Sequence, residues 1–167
     1  GTDPGRFENP VDVAVAGDGS VYVCDFDLDR VQKFAPDGSF ILAWGRAGKA
    51  DGEFDGPSGL CIGPDGRVFV ADFYNHRIQV FDASGVHSRT IGKEGHGIGE
   101  LYYPTDVTLR ADGVLLVADA YNQRIQALTP AGTAVADQYD IGKKLVGSRP
   151  LETPTGVSVD RNGRMHV

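Results

Sequence analysis

The charged residues of this chain fall into register. Asp25, Asp72 and Asp119 are each followed five residues later by an arginine: Arg30, Arg77 and Arg124. A carboxylate and a guanidinium at that spacing can polarise a substrate in a cleft, or close a charge-assisted pair that fixes a loop. Because the pair recurs in every unit, the loop-fixing reading is preferred. Asp12 and Asp106 differ: each stands two residues after a proline, where the other units hold Gly59 and Gly156. Two carboxylates converging on one point can hold Ca²⁺, which takes oxygen ligands; equally, they can accept hydrogen bonds from neighbouring strand backbones. Phe26, Phe73, Tyr74, His76 and Tyr121 follow the repeated aspartates, where aromatic rings can anchor a partner or pack on a neighbouring unit. The four histidines, His76, His87, His96 and His166, lack metal-ligand spacing. No nucleophile elbow, phosphate loop or zinc-protease helix motif occurs.

These residues ride on a repeat. Gly5-Arg6-Phe7-Glu8-Asn9-Pro10 recurs as Gly52-Glu53-Phe54-Asp55-Gly56-Pro57, as Gly99-Glu100-Leu101-Tyr102-Tyr103-Pro104 and, degenerately, as Arg149-Pro150-Leu151-Glu152-Thr153-Pro154. The prolines are spaced 47, 47 and 50 residues apart. Each unit reads as four strands, a to d. Strand a is expected at Val11–Val15 and its equivalents Ser58–Ile62, Thr105–Leu109 and Thr155–Val159. Strand b is expected at Val21–Cys24, Val68–Ala71 and Val114–Ala118, and strand c at Val31–Phe34, Ile78–Phe81 and Ile125–Leu128. Strand d is expected at Phe40–Trp44, near Val86–Ile91 and around Ala134–Ile141. Asp-Gly or Asn-Gly between a and b predicts type I′ hairpin turns. One face of strand a carries large apolar residues (Val13, Leu60, Val107, Val157), and the other small ones (Ala14, Cys61, Thr108, Ser158). Strand b is apolar on both faces, as in a sheet covered on both sides. Blades of a β-propeller meet both conditions. The expected fold is therefore all-β: a propeller of four-stranded antiparallel blades, with units at about 5–51, 52–98, 99–148 and an incomplete 149–167.

The unit resembles the NHL repeat. The resemblance is carried by the Phe-x-x-Pro segment, by Val68-Phe69-Val70-Ala71-Asp72, by Asn75-His76-Arg77-Ile78-Gln79-Val80-Phe81-Asp82 and by Asn122-Gln123-Arg124-Ile125-Gln126. Repeat 1 departs from it with Asp27-Leu28-Asp29-Arg30. Such repeats imply a six-bladed ring, of which about three and a half blades are present. The remaining blades are then expected from the parent chain or from another chain. Gluconolactonase-like propellers place acids at the channel mouth, which would give Asp12 and Asp106 a Ca²⁺ role; otherwise no cofactor is expected. Peptidyl-glycine amidating lyases have similar repeats, but where their zinc histidines follow the strand proline this chain has Val11, Ser58, Thr105 and Thr155.

The formal charge of −7 repels phosphate backbones and disfavours nucleic acid. No apolar run is long enough for a membrane helix. Cys24 and Cys61 occupy positions that other repeats fill with small residues, and read as small buried hydrophobes. The long loops, b–c and d–a (Arg46–Asp51, Lys93–Ile98, Lys143–Ser148), share one face. The expected function is a non-catalytic scaffold that binds protein or peptide through that face. The alternatives are a Ca- or Zn-dependent hydrolase or lyase completed by further blades, and an RNA-binding propeller.

Overall fold

The computed structural model of the chain describes residues 1–135 and 152–167. The first blade comprises β1 (Pro10–Val15), β2 (Val21–Asp25), β3 (Arg30–Phe34) and β4 (Phe40–Trp44), hydrogen-bonded in chain order. The second repeats it with β5 (Pro57–Ile62), β6 (Val68–Asp72), β7 (Arg77–Phe81) and β8 (His87–Ile91). The third has β9 (Pro104–Leu109), β10 (Leu115–Asp119) and β11 (Arg124–Leu128), and a bridge from Leu128 to Ala134 begins its outer edge. The rest of the outer strand expected to Ile141, and the loop expected at 143–148, lie outside the described residues. A final antiparallel pair is β12 (Ser158–Val159) with β13 (Met165–His166), so the strand expected from Thr155 is shorter than its alternation suggested. No helix among the described residues is long and apolar enough to cross a membrane.

The blades stack through their faces. Tyr22, Cys24 and Val31 of the first blade meet Leu60, Val68 and Val70 of the second. Phe69, Ala71 and Ile78 of the second meet Val107, Leu115 and Val117 of the third. This explains strand b, whose alternate residues fill the two opposite interfaces. Val13 and Val15 of the first blade, by contrast, are exposed.

The a–b hairpins are not type I′. Only the glycine has positive φ, at Gly19, Gly66, Gly113 and Gly163. The Gly19 N–H donates to Ala16 O at 2.9 Å and the Ala16 N–H to Ser20 O at 2.8 Å. That pattern is a type I turn followed by a left-handed glycine, the three-residue hairpin with a bulge. The residue before the aspartate is part of the turn, and as Pro64 in the second blade it cannot adopt positive φ.

Candidate functional site

The loop face is built on one repeated polar knot. Asp72 ends β6 and is fully buried. Its carboxylate accepts from Arg77 Nε (2.7 Å), Gln79 Nε2 (2.9 Å), Asn75 Nδ2 (3.0 Å) and the Asp55 N–H (2.8 Å). Arg77 Nη2 donates to the carbonyls of Ala50 and Glu53, both at 2.9 Å. Asn75 Nδ2 also donates to Gly48 O at 2.8 Å. The knot thus ties the b–c loop to the incoming d–a loop and satisfies backbone that would otherwise be buried unpaired. The third repeat reproduces it: Asp119 accepts from Arg124 Nε (2.8 Å), Gln126 Nε2 (2.9 Å), Asn122 Nδ2 (2.9 Å) and the Tyr102 N–H (2.7 Å). In the first repeat the expected Asp25–Arg30 pair does not form. Asp25 accepts the N–H groups of Glu8 and Asn9, while Arg30 reaches the carbonyls of Thr2 and Arg6 and its buried Nε has no partner. Leu28 occupies the place of Asn75 and Asn122, so the donor that holds the loop against the aspartate is missing.

Above the knots the expected binding residues come together. In repeats 2 and 3 the chain after the aspartate makes a single 3₁₀ turn, Phe73–Asn75 and Ala120–Asn122. Each turn ends on a left-handed residue, His76 at φ 54° and Gln123 at φ 56°. This lifts the ring between into solvent: Tyr74 is 48% and Tyr121 60% exposed. Phe26 lies against Phe73 and Tyr74 (centroids 6.0 and 5.9 Å), and Phe73 against Tyr121 at 6.5 Å. Two rings not singled out in the sequence complete the surface. Tyr103 touches Phe73 (5.0 Å), Tyr74 (6.0 Å) and Tyr121 (4.7 Å), and Tyr102 stacks on His76 at 5.1 Å. Their signal was present, since the other repeats hold Glu8-Asn9 and Asp55-Gly56 there. Gly56 lets the rings meet, because a Cβ at that position would lie 2.7 Å from Phe26 Cζ.

His76 is buried beneath this surface. Its Nδ1 accepts the Tyr103 N–H at 3.0 Å, so the proton of the neutral ring sits on Nε2. Asp29 does the same for the Gly56 N–H at 2.8 Å. In the first two repeats the left-handed residue that ends the loop therefore latches the next blade.

Asp12 and Asp106 lie on the innermost strands, beyond a bulge at Val11 and Thr105. Asp12 accepts from the Val13 N–H (2.8 Å) and, across to the next blade, from the Leu60 N–H (2.7 Å). Asp106 likewise accepts from Val107 (2.7 Å) and Val157 (2.8 Å). Burial pushes Asp106 up to about 6, with the two N–H groups pulling down and Asp12 adding to the rise. Asp12 is also raised, by burial. Every oxygen of the pair is thus engaged by backbone, and among the described residues no three His, Cys, Asp or Glu cluster in a way that could hold a metal ion. At two of the four residues that follow the strand proline, hydroxyls cross between blades: Ser58 Oγ donates to Pro104 O at 3.1 Å and Thr105 Oγ1 to Pro154 O at 2.9 Å. Cys24 and Cys61 are free thiols, and burial pushes both up, away from thiolate chemistry.

No curated protein matches the sequence. Among solved structures, a streptogramin B lyase is similar, with a TM-score of 0.69 at 18% identity over 92% of this chain and 45% of that one. A catalytically inactive virginiamycin B lyase from Staphylococcus aureus with quinupristin gives 0.68 at 17%, over 93% and 47%. Kuenenia stuttgartiensis hydrazine synthase gives 0.67 at 13%, over 98% and 42%. This chain spans about half the length of those chains, and at these identities the likeness is one of fold. Residues 54–81 and 101–128 match the NHL repeat, so the second and third units are NHL repeats, in a chain that shares the β-propeller fold.

Proposed function

We propose that this propeller is a non-catalytic interaction module that binds a protein or peptide through the face carrying the b–c and d–a loops. The observation behind this reading is the continuous aromatic surface spanning three repeats, with Tyr74 and Tyr121 half in solvent on a rigid, knotted base. Large rings with few rotatable bonds, held in place before binding, lose little entropy on contact. The test is selection of a random peptide library on the intact protein and on the Tyr74→Ala/Tyr121→Ala variant. The reading expects peptides whose binding depends on the two rings. Recovery of none, or of peptides indifferent to the substitution, would refute it.

A second reading is favoured by the lyases among the structural neighbours: a metal-dependent lyase or hydrolase whose site is completed by further blades. It expects saturable Ca²⁺ or Zn²⁺ binding by calorimetry that is lost in Asp12→Ala and Asp106→Ala. Heats unchanged by these substitutions would count against any role of the pair as ligands.

A further inference from the structure

We propose that the aromatic face is a docking surface for a basic peptide segment, with an Arg or Lys side chain lying over Tyr74 and Tyr121 and carboxylates of the surrounding loops facing its charge. This rests on the interaction reading above and names the chemistry of the partner.

An exposed aromatic platform suits two kinds of occupant. Nucleobases stack on it, and cations sit against the negative faces of its rings. The charge around the rings decides between them. The Tyr74 N–H donates to the Asp55 backbone carbonyl at 3.0 Å, so Asp55 belongs to the loop that borders the Tyr74 turn. Asp27 adjoins Phe26, and Asp29 holds the Gly56 N–H beneath the Phe26–Tyr74 junction. Burial raises the Asp29 carboxyl, and the charges of Asp55, Asp27 and Asp25 add to it, which places four acids in one field. On the third-blade side, Glu94 is exposed and close enough to Tyr103 to help raise its phenol, after desolvation and Tyr102. Among the described residues most cations of the same loops face an acid, Arg77 on Asp72, Arg124 on Asp119, Arg46 on Glu53 and Lys93 on Glu100; Lys49 and Arg30 are the exceptions, and Arg30 donates to the carbonyls of Thr2 and Arg6. The platform therefore sits in negative potential, which repels phosphate and attracts a guanidinium or ammonium group.

The test is fluorescence anisotropy on the intact protein with a labelled Gly-Arg-Gly-Arg-Gly-Arg-Gly peptide and its citrulline counterpart, which keeps the shape and loses the charge. The arginine peptide is expected to bind about tenfold tighter, and Tyr74→Ala/Tyr121→Ala to weaken it about tenfold. Tyr74→Phe/Tyr121→Phe keeps the rings and should retain binding. Glu94→Gln should weaken it about threefold, while Asp37→Asn, in a c–d turn on the opposite face, should leave it unchanged. Equal binding of the two peptides overturns the inference, as does tyrosine-dependent binding of poly(U) in preference to the arginine peptide. If the library selection returns Tyr74- and Tyr121-dependent peptides without basic residues, the cation preference falls and the interaction reading stands. If it returns no such peptides and the arginine peptide does not bind, both fall.

Discussion

The first and second blades have the same strand order and nearly the same length, yet their polar knots differ. In the second, one buried carboxylate gathers an arginine, a glutamine, an asparagine and a backbone N–H. In the first, the carboxylate holds two backbone N–H groups, and the arginine donates to the carbonyls of Asp3 and Arg6, as Arg77 does to Ala50 and Glu53, without reaching the carboxylate. A single side chain accounts for much of this: Asn75 donates both to the aspartate and across the loop to Gly48, and Leu28 can do neither. The surface differs too. Where the asparagine is present the loop winds into a 3₁₀ turn that lifts a tyrosine; in the first repeat Asp27 stands in that tyrosine's place, and Phe26, the counterpart of Phe73, packs at a steep angle against the neighbour's rings. The knot is thus the base of the loop, and the residue two places after the aspartate sets what the loop exposes: a tyrosine in the second and third blades, Asp27 in the first.

The largest way to break the contrast is Asp72→Ala. It takes the carboxylate from a buried guanidinium, leaves Arg77 Nε and the Asp55 N–H without their acceptor, and should destabilise by about 3–5 kcal/mol. Asp25→Ala strands only two backbone donors and should cost about 1–3 kcal/mol. Urea denaturation of the two variants measures the difference; equal losses would mean the knots are equivalent. His76→Ala comes next, at about 1–3 kcal/mol, because the Tyr103 N–H loses its acceptor. His76→Asp borrows the first repeat's latch, Asp29, and should recover most of that loss.

A pH effect follows in size. The folded Asp106 carboxyl, at about 6, lies above its ordinary value of 3.8. A raised acid contributes stability that is present below the ordinary value and lost as pH climbs through the folded one. Relative to Asp106→Asn, the protein should therefore lose on the order of 1–2 kcal/mol between about pH 4 and pH 7, solvent screening at the channel mouth included. A difference between the two proteins that does not move with pH would sink this expectation. The smallest effect sharpens the comparison: Leu28→Asn should rebuild the missing donor in the first repeat and stabilise by about 0.5–1.5 kcal/mol. No gain would show that an asparagine alone does not bring Arg30 Nε to Asp25.

Much was legible before any coordinates. The prolines, the Asp-Gly turns and the apolar strand b located the blades, because each obeys a local rule that the repeat states several times. The aspartate–arginine pairing was legible for repeats 2 and 3 and not for repeat 1, where the deciding residue was a leucine rather than the acid or base. The hairpin type was not legible, because Asp-Gly alone does not say how many residues the turn contains; Gly17 and Pro64 belong to it as well. Tyr102 and Tyr103 were visible only as departures from the repeat.

By itself, the sequence determined the period, the strands and their pairing within each blade, since period-two alternation and turn chemistry act over a few residues. Only the tertiary structure decided what crosses between blades: that Asp12 and Asp106 reach the next inner strand, that Ser58 and Thr105 bond a proline carbonyl 46 and 49 residues on, and that rings from three repeats share one surface. The reason is physical. Those contacts depend on how two twisted sheets are rotated against each other and on the bulge that re-aims the inner strand, and neither is written in the spacing of residues along one strand.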